Sequence, residues 1–147
     1  MLARSGCRGT WSDVFRPYGF ARLAEALLRQ GEQKAALAAV QQGLQVQNET
    51  GQGWWHAELH RLEGLALVGL NRVEEGQSAL NEALRVARRQ QAKSYELRAV
   101  TSLARMWGEQ GRRAEAHELL APVYGWFTEG FNTADLKEAK GLLDELT

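Results

Sequence analysis

The sequence predicts an all-α fold: a right-handed α-solenoid of three antiparallel helical hairpins with a C-terminal capping helix. Three observations predict it. Small residues recur 40 positions apart at Ala24, Gly64 and Ala104, and again at Ala36, Gly76 and Ala116. A helix-stopping residue recurs at Gly31, Asn71 and Gly111, and an apolar one at Val40, Leu80 and Leu120. Pro occurs only twice in 147 residues, while Ala, Leu, Glu, Gln and Arg, all good helix formers, are abundant. A fixed period with small residues at fixed offsets marks a stacked array of helical pairs.

The elements follow in order. Residues 1–16 carry no apolar periodicity and are expected to form a poorly ordered arm, leaving 17–147 as the repeat domain. The first repeat covers about 17–51. Leu23, Ala24, Leu27 and Leu28 form the apolar stripe of its first helix, which Gly31 ends. Ala36, Val40, Gly43 and Leu44 form the stripe of its second, in the spacing of a buried helix face. The second repeat, about 53–92, has Leu62, Leu65 and Ala66, then Leu80, Ala83, Leu84 and Ala87. The third, about 93–128, has Leu103, Ala104 and Trp107, then Ala116, Leu120, Val123, Tyr124 and Phe127. The capping helix spans 133–147, with Thr133 as N-cap, an apolar set of Leu136, Ala139, Leu142, Leu143 and Leu146, and charges on its other face.

Each punctuating column has a physical cause. A turn of two or three residues favours a left-handed backbone just past the helix, which Gly adopts freely and Asn tolerates best after it. At close helix crossings a side chain larger than Ala forces the backbones apart. Ala104→Leu is expected to overpack such a crossing by roughly 1–3 kcal/mol. Pro122 interrupts the third repeat where Gln42 and Glu82 stand in the others, which predicts a bend near 119–123.

The small residue, the Gly seven later, the Ala five after that and the apolar residue four further on resemble the tetratricopeptide repeat, lengthened from about 34 residues to 40. The segments Ala87–Ser94 (ARRQQAKS), Ser102–Arg105 (SLAR), Leu119–Phe131 (LLAPVYGWFTEGF) and Asp135–Lys140 (DLKEAK) extend the resemblance. Together they look like the C-terminal repeat region of bacterial multidomain signalling ATPases that also carry an adenylate or guanylate cyclase domain or a DNA-binding regulator. The resemblance covers about 18–147. It implies a non-catalytic interaction or regulatory module acting in signal transduction. The phosphate loop of such an ATPase has no counterpart here.

Charge and composition narrow the function. Eighteen basic residues balance eighteen acidic ones, so no dedicated nucleic-acid or anionic-membrane surface is expected. The single cysteine, Cys7, cannot form an internal disulfide, which suits a reducing cytoplasmic setting. No apolar run is long enough to span a membrane and no signal-peptide core is expected at the start. Neither a paired-carboxylate site nor a nucleophile–base set is apparent, so no enzyme activity and no cofactor are expected.

The expected partner surface is the concave wall formed by the first helix of each pair. The period places Tyr18, Ala21, Glu25 and Arg29 there, then Glu58, Arg61, Leu65 and Val68, then Arg98, Thr101, Arg105 and Glu109. Both signs of charge are present, which fits a protein or peptide. The Lys and Asn with which tetratricopeptide domains clamp a terminal carboxylate are absent from the matching positions. Reversing Arg61 and Arg105 to Glu is expected to weaken partner binding without loss of helicity. The alternative is a small-molecule sensor, with an inducer held in the groove as in the resembling maltose-type regulators; an aromatic pocket there would favour it. Three repeats lie near the minimum for a stable array, so weak self-association through open ends is expected.

Other residues have two readings each. His56 and His60, with Glu63, have metal-ligand spacing but lack the order of a metalloprotease motif, so no metal is assigned; ordinary helix-surface histidines account for them. The run Arg85, Arg88, Arg89, Lys93 and Arg98 can touch phosphate, but flanking Glu82 and Glu96 suggest a solvated face. Trp54, Trp55, Phe15 and Tyr95 read as staples between units and Trp107 as core. Trp126, Phe127 and Phe131 either pack the terminal helix or present an apolar edge to another domain.

Overall fold

The computed structural model describes residues 11–50, 53 and 55–147, and they contain seven helices and no strand. These are α1 (Trp11–Arg29), α2 (Gln33–Thr50), α3 (His56–Gly69), α4 (Val73–Arg89), α5 (Lys93–Glu109), α6 (Arg113–Trp126) and α7 (Ala134–Leu146). The fold is all-α. Residues 1–10 with Cys7, the Phe15 side chain and Trp54 lie outside the described residues. No described helix is long and apolar enough to cross a membrane.

The stop column does what its chemistry requires. Gly31, Asn71 and Gly111 have φ of 78°, 65° and 83°, all left-handed. At each, two bonds close the helix end. Glu32 N–H donates to the Leu27 carbonyl at 2.9 Å, Arg72 to Leu67 at 2.9 Å and Arg112 to Trp107 at 2.8 Å. The residue before donates one turn back, as Gly31 N–H does to Leu28 at 3.1 Å. This satisfies carbonyls that the helix end leaves open. A fourth turn of the same type joins α4 to α5. There Gln91 takes φ of 55°, and Ala92 N–H donates to Ala87 at 2.9 Å.

Consecutive helices pack against one another, and α1–α3, α3–α5 and α5–α7 also touch. The small columns lie at the crossings. A Cβ on Gly64 would stand 2.6 Å from Leu80 Cγ and 2.9 Å from the Gly76 carbonyl oxygen. A Cβ on Gly76 would stand 2.5 Å from Val68 Cγ2. Ala24, Ala36, Ala104 and Ala116 are wholly buried. One apolar core gathers Leu80, Leu97, Leu103 and Leu120 with Leu136, Leu142, Leu143 and Leu146 of α7. A second, smaller core joins Ala24, Ala36 and Val40 to Leu59 and Leu62.

Several details differ from the expectation. The first helix begins at Trp11, not near Pro17, and Pro17 is buried inside it. Leu23 belongs to no buried stripe; it is 49% exposed, and among the described helices α1 packs only on α2 and α3, whereas its counterpart Leu103 is fully buried in the larger core. Trp107 is half-buried against the core, with the Arg112 guanidinium 4.3 Å from its ring. Thr133 is the N-cap of α7 but caps by its extended backbone, with no side-chain bond. Helix α6 is continuous through Pro122 to Trp126.

Candidate functional site: a charged groove with an aromatic end

The odd-numbered helices carry a groove enclosing about 310 Å³, lined from α1, α3, α5 and the first turns of α7. Its register comes from the sequence. Trp55 and Tyr95 lie one period apart, and so do Tyr18, Glu58 and Arg98. An aromatic level therefore lies beside a charged one. Tyr18 and Trp55 meet with ring centroids 4.8 Å apart at 44°. Trp55 is fixed by its backbone N–H, which donates to Oε1 of the buried Gln47 at 2.9 Å. Tyr95 lines the same groove at the start of α5. Burial pushes its phenol above the usual range, and the Glu58 charge adds to this.

The floor is an ion network that ties four helices. Arg61 binds Glu58 through a two-pronged fork, Nε to Oε1 at 2.9 Å and a terminal nitrogen to Oε2 at 2.7 Å. A second Arg61 nitrogen reaches Ser102 Oγ on α5 at 3.3 Å. Both members of the pair are nearly buried, with side chains 11% and 8% exposed. Burial pulls the Arg61 pKa down, but the bond and charge of Glu58 outweigh it and hold the group above its ordinary value. Arg98 crosses from α5 to Glu58 at 2.9 Å, Glu25 of α1 at 3.4 Å and Asp135 of α7 at 3.6 Å. Arg22 and Arg29 stand 3.7 and 3.8 Å from the Glu25 carboxylate.

Of the residues the sequence assigns to the wall, Tyr18, Ala21, Glu25, Arg29, Glu58, Arg61, Arg98 and Thr101 line this groove. Thr101 is buried and spends its hydroxyl on the Leu97 carbonyl at 2.7 Å. Four others lie elsewhere. Val68 packs into the α3–α4 crossing, and Leu65 is half-buried outside the groove lining. Arg105 and Glu109 line a separate cleft between α5 and α7, and Arg105 reaches out of it to Glu138 of the groove at 3.1 Å. The first turns of α7 also line the groove, where Asp135 pairs with Arg98 and Glu138 with Arg105.

Sequence reasoning missed Arg22, Trp55, Tyr95, Ser102, Asp135 and Glu138 as groove residues. The 40-residue register could have found Tyr95 and Trp55, had they been read as lining and not only as staples. Nothing in the period points to α7, which has no counterpart in the repeats.

The remaining candidates resolve simply. The His56 and His60 rings stack at 5.1 Å, and His60 Nδ1 lies 3.0 Å from Glu63 Oε1. They are half-buried, and burial followed by the His60 charge lowers the His56 pKa. Among the described residues no group of His, Cys, Asp and Glu is arranged to hold a metal. The basic run is largely paired within the chain: Arg85 with Glu82, and Arg88 and Lys93 with Glu96, both at 3.1 Å. Burial pushes Glu96 up, but those two bonds outweigh it and hold its carboxyl below the usual range. At the end of α6, Trp126 and Phe131 are 57% and 47% exposed, while Phe127 packs on the core. Lys93 Nζ lies 5.4 Å from the Trp126 ring.

No protein-family model, curated protein or solved structure matches the chain.

Proposed function

We propose that the chain is a right-handed solenoid of three antiparallel hairpins closed by α7, of the long tetratricopeptide type, and that it works as a non-catalytic module binding a protein or peptide segment in its groove. The groove itself carries this reading: residues of both charges and three aromatics, brought from α1, α3, α5, α7 and the residue before α3, face one open channel. A segment laid there would meet side chains from every unit, as binding across stacked repeats requires. The resemblance of the C-terminal segments supports a place as the regulatory repeat region of a bacterial signalling ATPase or cyclase in the cytoplasm. Exposed Leu23 at one end and Trp126 and Phe131 at the other support weak self-association or contact with a neighbouring domain.

A photoreactive phenylalanine analogue at Arg22, on the groove rim, and at Glu118, exposed on α6, tests the reading in native cells. A discrete protein adduct from the Arg22 position alone is expected. Adducts of the same kind from both positions, or none from Arg22, would reject the groove as the partner site.

One observation favours a second reading, a small-molecule sensor. Tyr18, Trp55 and Tyr95 give the groove an aromatic end, and the groove as a whole, about 310 Å³, has a size suited to a small ligand.

A further inference from the structure

Glu25 is contacted by three arginines and by no short bond from any of them. Arg98 stands at 3.4 Å, Arg22 at 3.7 Å and Arg29 at 3.8 Å. The last two distances exceed good hydrogen bonds, and all three are long for charge-assisted ones. Arg22 and Arg29 are also 65% and 76% exposed, so holding them near Glu25 gains little. The pairing deeper in the floor is different. Arg61 and Glu58 are matched by a full fork and desolvated. Glu138, the other α7 carboxylate in the groove, is taken by Arg105. Counting that pair out, the groove holds Arg22, Arg29, Arg61 and Arg98 against Glu25, Glu58 and Asp135. The loosely engaged donors, Arg22 and Arg29, are thus both guanidiniums, and with Glu138 held by Arg105 from outside the lining the remaining groove charges leave one arginine in excess.

The aromatic end adjoins these donors. Tyr18 lies one helical turn before Arg22 on α1, and Tyr95 one turn before Arg98 on α5. Tyr18 is 40% exposed and rests against Trp55, so it offers a ring to a guest. Guanidiniums bind phosphate and carboxylate through paired donors, and aromatic rings stack on planar ones.

We infer that the aromatic end and the Arg22, Arg29 and Arg98 cluster form one site for a small planar ring bearing a phosphate or carboxylate, the ring against Tyr18 and Trp55 and the anion among the three guanidiniums. Arg22 and Arg29 give the anion donors that Glu25 holds only loosely, while Arg98 adds its charge from its 2.9 Å contact with Glu58, so no buried pair has to break. This deepens the second of the two readings above and rests on it.

Calorimetric titration of the full chain tests the site with two matched pairs: adenosine 5′-monophosphate against adenosine, and 2-naphthoate against 2-naphthol. In at least one pair the charged member should bind about tenfold more tightly than its neutral parent, the worth of a charge-assisted bond. Arg22→Gln with Arg29→Gln should abolish that difference, and Tyr18→Ala should weaken both members alike. All three positions are partly or largely exposed, and unchanged far-ultraviolet circular dichroism checks that the variants fold. Equal binding of charged and neutral members in both pairs would overturn the anion site. So would no measurable binding of either charged probe up to about 10 mM. A protein adduct from the Arg22 photocrosslink alongside a negative titration would reject this inference and leave the partner reading standing.

Discussion

At the residue scale the turns are the most legible feature. Gly31, Asn71 and Gly111 share a column in the sequence and a left-handed φ in the fold, because one conformation recurs where each pair of helices reverses. Gln91 was not legible. It takes the same conformation, with φ of 55°, but no column marks it, since its side chain pays a steric cost that Gly would avoid. Gln91→Gly should therefore raise stability by about 0.5–1 kcal/mol, while Gly31→Ala, with φ of 78°, should lower it by about 1 kcal/mol. Urea unfolding of the two variants measures both, and a loss of stability in Gln91→Gly would show that its side chain matters more than its backbone.

At the element scale the period located the helices well because it reports burial. The segments 53–92 and 93–128 hold helices α3 and α4, and α5 and α6, and the five apolar residues assigned to the last helix are all buried in α7. The start of α1 was missed because Pro17 reads as a first-turn residue, whereas it lies inside the helix, seventh of its nineteen residues. The glycines separate crossing from surface. Gly76 backs onto the Gly64 carbonyl oxygen, 2.9 Å from where its Cβ would be, and onto Val68 Cγ2 at 2.5 Å. Gly141 in α7 is exposed with nothing within 4 Å of an added Cβ. Gly76→Ala should force α3 and α4 apart and cost roughly 1–3 kcal/mol. Gly141→Ala should stabilise by about 0.5–1 kcal/mol through helix propensity alone. Thermal unfolding decides between them, and a neutral Gly76→Ala would mean that the α3–α4 crossing yields.

At the scale of the whole molecule the network of Glu25, Glu58, Arg61, Arg98 and Asp135 bridges all four odd-numbered helices, and it was only half legible. The period brought Glu58 and Arg98 to one wall, yet pairing depends on side-chain reach across helices and on α7, neither of which a repeat encodes. Its consequence revises the charge-reversal test. Arg61 is held by Glu58 through a buried fork, so Arg61→Glu would set two carboxylates together and damage the fold before it reported on any partner. The more informative pair is Arg61→Met against Arg61→Met with Glu58→Gln. The single change removes the fork and leaves Glu58, only 8% exposed, with Arg98 alone; it should cost about 3 kcal/mol. In the double variant no buried carboxylate is left short of partners, so it should be more stable than the single one, although it lacks more of the native contacts. Additive losses in urea unfolding would show instead that the two side chains act separately, and the network would then be a set of independent contacts. A double variant that recovers stability would identify Glu58 as the charge whose compensation the four helices share, leaving Arg22 and Arg29 as the groove arginines free to be tested for binding.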